Sequence, residues 1–386
     1  MTTAAHKAKR LILHAGLPKT ATTSVQNAIF SRRDILLSEA GYLYPGAEAN
    51  HTNALCTAFL DDPRQHIANK VAGRTDLGQL AEMARSIRDA FAAEICEKQP
   101  ETILFSAEGM SNLSNRELEK FRDWALDYAE QIDVLYVVRN PLRYSASVIQ
   151  QHLKGGDVLE DMYEDPPLAN FKGRISNAIA AFGRERISIR PFEDMIAHAD
   201  GVAGYFLDSV GVSSGPAYEA IVEAQVVENE SLSHEAALTL SSLNRLRPAF
   251  TNGQRSQRRT FNELGLIESI RGVKFYLPDE VRSKIAERSQ VDVDWLKENF
   301  GLDIYDNAMK VEAQESKPTL SANSIDSIAI LLSNLINDRH VNTLMQKAIM
   351  ERNQGKRDNL KYLASEIRRI SPQRKLPPFL AELVEE

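Results

Sequence analysis

Apolar runs of strand length that alternate with helix-patterned segments predict an α/β protein. The expected architecture is an open, mainly parallel sheet flanked by helices, followed by a helical C-terminal extension. Three observations carry the prediction. Four strand-like runs occur in the first half, at Leu11–Ala15, Glu101–Phe105, Val134–Val138 and Arg186–Arg190. Each is followed by turn-formers or by segments with helical spacing. From Ser231 onward helical patterns dominate, and no strand signal of comparable strength returns.

In chain order, Leu11-Ile-Leu-His-Ala15 is stopped by Gly16 and Pro18, so it reads as a buried strand ending in a turn. The hydroxyl-rich stretch Lys19–Ser24 then opens a helix whose apolar face holds Val25, Ala28 and Ile29. Segment 31–77 carries turn-formers and scattered histidines, and Leu80–Cys96 is helical by period. A helix over Asn115–Glu130 separates the second and third strands, and helices over Leu142–Leu153 and Ala169–Phe182 lead to the fourth. Further helices are expected near Met195, over Ala203–Val210 and over Pro278–Phe300. Lys310–Ala322 is polar, contains Pro318 and reads as a linker, beyond which Ile325, Ile328, Leu331, Leu332, Leu335 and Ile336 form a helical stripe.

Composition narrows the function classes. Of 386 residues, 43% are hydrophobic and 26% charged, which is globular usage with room for one large α/β domain plus an appendage. A net charge of −7 excludes a chain that binds nucleic acid through its overall field, so any anion must be held in a local pocket. Cys56 and Cys96 alone build neither a disulfide framework nor a four-ligand zinc site, and no metal is expected. The N-terminal apolar run is too short for a secretory leader, and no run approaches the roughly 20 residues of a membrane helix. The expectation is a soluble, cytoplasmic protein.

Two segments carry chemistry. In His14-Ala-Gly-Leu-Pro-Lys-Thr-Ala-Thr-Thr-Ser24 a strand ends in a lysine-bearing turn that opens into a helix. Helix N–H groups and the dipole favour an anion there, Lys19 adds a charge, and Thr20, Thr22, Thr23 and Ser24 add donors. A Thr-rich helix cap with a solvated lysine would use the same residues. The nucleotide loop G-x-x-x-x-G-K-[ST] is absent, since Gly16 lies three residues before Lys19 and no glycine precedes that lysine directly. In the second segment, Arg139 follows the third strand, at the strand end where open sheets place ligands, and Ser147 lies eight residues on. Arg139 offers a planar fork suited to phosphate, although a single arginine there also pairs readily with an acidic neighbour.

Together these segments resemble the sulfotransferase superfamily, with its 5′-phosphosulfate loop P-K-[ST]-[GA]-T-[ST] and its later R-[DN]-P-x-x-x-x-x-S motif for a 3′-phosphate. The first is Pro18-Lys-Thr-Ala-Thr-Thr23, in which Ala21 replaces the usual glycine, and the second is Arg139-Asn-Pro-Leu-Arg-Tyr-Ser-Ala-Ser147. Arg190-Pro-Phe-Glu-Asp194 is similar to the family's [YF]-E-D strand end, Asn229–Ser233 to a segment of its bacterial carbohydrate-modifying branch, and Asp294–Gly301 to its late helix. The resemblance spans about residues 10–307. It implies a P-loop NTPase-like sulfotransferase fold, no metal, and 3′-phosphoadenosine 5′-phosphosulfate as donor to a hydroxyl or amine of a glycan or glycolipid-like acceptor. It also implies that Pro18 through Ser24, with Arg139 and Ser147, bind the donor and that Lys19 stabilises the leaving group.

Glu108, at the end of Ile103-Leu-Phe-Ser-Ala-Glu-Gly109, is the candidate base, with His51 as its rival. The family's carbohydrate-directed members often carry glutamate at this strand end. Glu108 as a cap for a helix near Ser111 is the plainer alternative. His14 reads as a strand-end core residue and His152 as a solvated helix residue. The loop Arg255–Arg259 offers a basic lid or a solvated turn. Trp124 and Trp295 read as core. A nucleotide kinase or NTPase, or a sulfotransferase-like binding protein without chemistry, are the competing readings. The expected division is a domain over 1–307, a linker over 308–322 and a helical extension over 323–386. The extension's stripe would dock on its own chain, form a homo-oligomer or hold a partner.

Overall fold

The computed structural model describes residues 7–46, 48–226, 231–246, 248, 250–251, 254–255, 261–304, 322–355 and 357–383. The chain forms two compact units. The first gathers residues 1–151, 160–230 and 277–313, and the second 152–159, 231–276 and 314–386.

The first unit is built on a five-stranded sheet of β1 (Arg10–His14), β2 (Tyr42–Leu43), β3 (Thr102–Ser106), β4 (Ile132–Val138) and β5 (Ile187–Pro191). All neighbours pair in parallel, in the order β2-β3-β1-β4-β5. The open parallel sheet read from the sequence is therefore the fold. Alternation along β1 shows why both faces need cover. Leu11 and Leu13 enter one core with Phe105 and Tyr136, while Ile12 enters the opposite core with Leu104 and Val137. A strand buried on both sides reads as an unbroken apolar run, which made β1, β3 and β4 visible in the sequence.

Helices supply the cover. Between β1 and β3 lie α1 (Thr22–Ser31), α2 (Arg33–Ala40), α3 (Thr52–Phe59), α4 (Ile67–Val71) and α5 (Leu77–Lys98). After β3 come a short 3₁₀ turn (Glu108–Asn112) and α6 (Asn115–Ala125). Ser114 caps α6 reciprocally with Glu117, so Glu108 is not the cap of this helix. After β4 follow α7 (Pro141–Gly155), α8 (Leu159–Glu164) and α9 (Phe171–Phe182), and after β5 come α10 (Phe192–Ala197), α11 (Gly201–Val210) and α12 (Pro216–Ala224). Val25 and Ile29 of α1 pack with Phe206 and Leu207 of α11 on one face; Phe121 of α6 and Ile175 of α9 pack on the other. Each such side chain, fully buried, stabilises the fold by roughly 1.5–3 kcal/mol.

Segment 31–77, marked in the sequence by turn-formers and scattered histidines, is more ordered than that pattern suggests. It holds three helices and β2, a two-residue edge strand too short to leave an alternation pattern. Tyr42 of β2 is fixed instead by its hydroxyl, which donates to the Val210 carbonyl at 2.8 Å. Helix α6, read over Asn115–Glu130, is also shorter than its period suggests, ending at Ala125.

The second unit contains α13 (His234–Leu246), a minimal antiparallel hairpin of β6 (Phe250–Thr251) and β7 (Gln254–Arg255), and α14 (Phe261–Glu268). After α15 (Asp279–Phe300), which belongs to the first unit, the chain continues in α16 (Ala322–Asn353), α17 (Arg357–Ile370) and α18 (Pro378–Ala381). Val341 and Ala348 of α16 form a core with Leu363, Ala364 and Ile367 of α17 and Leu380 of α18. The start of α16 is held by Glu235, whose Oε1 accepts from Ser324 Oγ at 3.0 Å while Oε2 accepts from the Val273 N–H at 3.0 Å. Of the stripe expected to dock, Leu331 is buried and Leu335 exposed. Residues 305–321, which contain most of the expected linker, and residues 229–230 and 256–260 lie outside the described residues. Among the described residues no helix is long and apolar enough to cross a membrane.

Candidate functional site

The central strand β1 has β3 on one side and β4 on the other, so the turns after these three strands meet at one sheet edge, at the point where the strand order switches direction. Lys19, Glu108 and Arg139 sit on those turns, while Thr22–Ser24 open α1 and Ser147 lies within α7.

The turn after β1 is held by unusual backbone. Lys19 and Ala21 both adopt left-handed φ values, 70° and 56°. Such a conformation costs a residue with a Cβ roughly 1–2 kcal/mol, which explains why the related loop pattern favours glycine at the Ala21 position. Thr20 is buried, and its hydroxyl donates to the Leu17 carbonyl at 2.7 Å, closing the turn on itself. Ala21 is the N-cap of α1 and contributes no side-chain cap. The first N–H groups of α1 therefore have no capping oxygen from that residue, an arrangement that suits a bound anion. Pro18 and Lys19 are half-buried, Thr23 is exposed and Ser24 half-buried.

Arg139, at the end of β4, reaches this turn. Its Nη1 donates to the Lys19 carbonyl at 2.9 Å, and its guanidinium lies over the Phe192 ring, 4.8 Å from the centroid. Its Nε is buried without a hydrogen-bond partner. Burial lowers the Arg139 pKa, with Glu193 acting against that shift and Arg143 adding to it. The next residue, Asn140, is a structural cap. Its Oδ1 accepts from the N–H groups of Leu142 and Arg143 at 3.0 and 3.3 Å, and its own N–H donates to Glu193 Oε1 at 3.2 Å. The Phe192-Glu193 pair thus meets the Arg139-Asn140 pair directly. Ser147 is half-buried two turns into α7 and makes no hydrogen bond with Arg139.

Glu108, on the turn after β3, is half-buried and accepts a hydrogen bond from Thr22 Oγ1 at 2.9 Å. This ties the candidate base to the first turn of α1. His51 has no nitrogen to offer. Its Nδ1 accepts from the Ser106 N–H at 2.9 Å and its Nε2 donates to the Pro45 carbonyl at 2.6 Å, so the ring is a neutral staple, and burial pushes its pKa down to about 4. His14 is buried at the end of β1. Its Nδ1 meets Ser106 Oγ at 2.8 Å, its Nε2 has no partner, and burial pushes its pKa down to about 3. Gly16 is required above it, because a Cβ there would lie 2.3 Å from His14 Nε2.

The remaining residues lie elsewhere. Trp124 packs at tilted angles among Phe59, Phe105 and Tyr128, and Trp295 against Phe300. His152 is half-exposed and pairs with Asp157 at 3.2 Å. The Arg255–Arg259 side chains fall outside the described residues. Arg174 of α9 and Tyr136 of β4 were not singled out by sequence. One is an isolated arginine in a helix and the other an aromatic in a strand; folding leaves the Tyr136 hydroxyl and the Arg174 Nη1 buried without hydrogen-bond partners.

No family model matches the chain. No curated protein matches it either. Among solved structures, the chain is similar to a sulfotransferase from Alicyclobacillus acidocaldarius at a TM-score of 0.40 and 12% identity, covering 79% of this chain and 99% of that one.

Proposed function

We propose that the chain is a sulfotransferase that moves a sulfuryl group from 3′-phosphoadenosine 5′-phosphosulfate to a hydroxyl or amine of a glycan or glycolipid-like acceptor. The observation that carries this reading is the 2.9 Å bond from Arg139 Nη1 to the Lys19 carbonyl. It joins the two anion motifs, 120 residues apart in sequence, at neighbouring strand ends.

The donor supplies an activated sulfuryl group. Lys19 and the first N–H groups of α1 serve as the cradle for the 5′-phosphate, where negative charge grows as the bond to sulfur breaks. Arg139, held flat by Phe192 and with its buried Nε still unsatisfied, receives the 3′-phosphate, with Ser147 as an additional donor. Glu108 takes the proton from the acceptor as the new bond to sulfur forms, and Thr22 orients its carboxylate. Placing these groups on three adjacent strand ends converts the transfer into a problem of alignment.

Calorimetric titration with 3′,5′-adenosine bisphosphate tests the donor site without the acceptor. The expected result is micromolar-range binding that Arg139→Ala abolishes. Clear binding of ATP with Mg²⁺ and none of the bisphosphate would replace this reading with a nucleotide kinase. Binding of neither would leave a protein without this chemistry.

A further inference from the structure

The polarity of α4 is inverted. A helix packed on a protein turns its apolar side chains inward and its polar ones to water. In α4 and its cap residue the polar His66 and Asn69 are buried, whereas Ile67 and Val71, one helical turn apart on the same face, are 66% and 81% exposed. The buried polar groups are the anchors. His66 Nε2 donates to Asn53 Oδ1 at 3.0 Å, and Asn69 Nδ2 donates to Thr57 Oγ1 at 3.2 Å and to the Pro63 carbonyl at 2.9 Å. Asn53 and Thr57 belong to α3, whose Thr52 accepts the Gly109 N–H at 3.2 Å, so α4 is one helix away from the turn that carries Glu108.

The chain after α4 extends the same surface. Arg74 closes the turn, its N–H donating to the Asn69 carbonyl at 2.9 Å and its Nη1 to Asn69 Oδ1 at 3.0 Å. Then α5 begins at Leu77, which is 50% exposed, and every residue from Lys70 to Gln79 is exposed. Lys70 and Arg74 are the cations of this stretch; its carboxylate, Asp76, is used to cap α5 by accepting from the Gln79 N–H at 2.8 Å.

Single exposed apolar residues are ordinary on a protein surface. Here three of them share one short stretch with two cations, while the polar groups that would have suited water are spent inward. A second copy of this chain is the poorer occupant, because a two-fold contact sets the stretch against itself and brings the cations of both copies together. A stable protein interface also takes roughly 20–30 residues a side, more than residues 67–79 supply. A lipid surface needs no matching shape. Apolar side chains enter the boundary between headgroups and acyl chains, and cations beside them meet anionic headgroups. The chain as a whole carries −7 and is repelled by such a surface, so a locally cationic stretch decides which side can approach.

We propose that residues 67–79 dock the protein on an anionic lipid surface, with Ile67, Val71 and Leu77 inserted and Lys70 and Arg74 at the headgroups. This does not rest on the sulfotransferase reading.

The test is co-sedimentation of the full chain with vesicles of phosphatidylcholine containing about one-third phosphatidylglycerol, beside vesicles of phosphatidylcholine alone. The wild type is expected to partition onto the anionic vesicles about tenfold or more in preference to the neutral ones, and to be released by added salt. Ile67→Asp combined with Val71→Asp should weaken partitioning by about tenfold or more, and Lys70→Gln by about fivefold, the worth of one cation near an anionic surface. All three positions are exposed, so the urea midpoint should stay near that of the wild type. Lys70→Gln decides the matter if the double variant unfolds. A wild type that stays in the supernatant, variants that partition as well as the wild type, or equal partitioning onto the two kinds of vesicle overturns the inference. A dimer in lipid-free solution that Val71→Asp dissolves, with no binding to vesicles, would assign the stretch to a second copy and overturn it too.

Discussion

The turns after β1 and β3 leave the same sheet edge and are built on opposite principles. The β1 turn places two residues, Lys19 and Ala21, in left-handed backbone and caps α1 with a residue that has no capping side chain. The β3 turn satisfies its polar atoms internally. Ser106 gives its N–H to His51 and takes the His51 N–H on its carbonyl at 3.0 Å, its Oγ meets Gln26 and His14, and Ser111 Oγ closes onto the Glu108 carbonyl. One turn retains backbone strain at the place where the proposed function puts the donor; the other is a rigid, internally satisfied wall beside it. Substitutions in the first should therefore be felt in function, and substitutions behind the second in stability.

The sharpest contrast sets Lys19→Ala against His51→Leu. Lys19→Ala is expected to lower sulfuryl transfer by about 10²–10³-fold, the scale of losing one stabilising donor, with little change in melting temperature. Glu108→Gln should lower transfer by about 10²–10⁴-fold while bisphosphate affinity stays near wild type. His51→Leu should do the reverse. It strands the Ser106 N–H and the Pro45 carbonyl in the interior, at about 1–3 kcal/mol for each group, and transfer per folded molecule should persist. Urea unfolding beside steady-state rates measures both. A His51 variant of full stability but no activity would break the contrast.

The pH dependence of stability follows from the same wall. His14 and His51 have folded pKa values near 3 and 4, against an ordinary value of 6.5, because burial disfavours their charged forms. Below pH 6.5 the unfolded chain takes up protons that the folded chain refuses, so stability falls as pH falls. The penalty is absent above about pH 6.5 and grows toward pH 4, by at most about 1.4 kcal/mol per pH unit for each histidine. Unfolding midpoints between pH 4 and 7 should show this slope, to which His66 and His234 add because burial lowers them too, and replacing His51 by leucine should reduce it by at most about 1.4 kcal/mol per pH unit. An unchanged slope in that variant would mean that the ring is not held neutral.

The two turns were not equally readable in the sequence. The β1 turn announces itself because its chemistry is local: Pro18 through Ser24 are contiguous, and the strand before them is an unbroken apolar run. Arg139 was legible for the same reason, as the end of β4 and the start of α7 lie in one stretch. The His51 staple was not. A histidine before a helix looks the same whether its nitrogens face a substrate or two backbone groups, and its partners, Pro45 and Ser106, are fixed only once β2 and β3 pair. The Tyr136 hydroxyl and the Arg174 Nη1 are farther from any local signal, since folding alone leaves them buried without a hydrogen-bond partner. Sequence shows donors that are displayed along the chain and hides those that are consumed or orphaned across it.

The smallest effect separates strain from function within the β1 turn itself. Ala21 sits at φ 56°, where a Cβ is disfavoured by about 1–2 kcal/mol, and glycine there would remove that penalty. Glycine also loosens the unfolded chain, which costs about 0.4–1 kcal/mol in return. Ala21→Gly should therefore change stability by about 0 to 1.6 kcal/mol in the stabilising direction, seen as at most a small rise in the urea midpoint. Bisphosphate affinity is the more telling readout. If the left-handed turn is held by the Thr20 hydroxyl and the Arg139 bond, the cradle keeps its shape in the variant and affinity stays within about twofold. If affinity instead fell tenfold while stability rose, the Ala21 methyl would be what stiffens the turn, and the Arg139 bond would be a consequence of that shape rather than its cause.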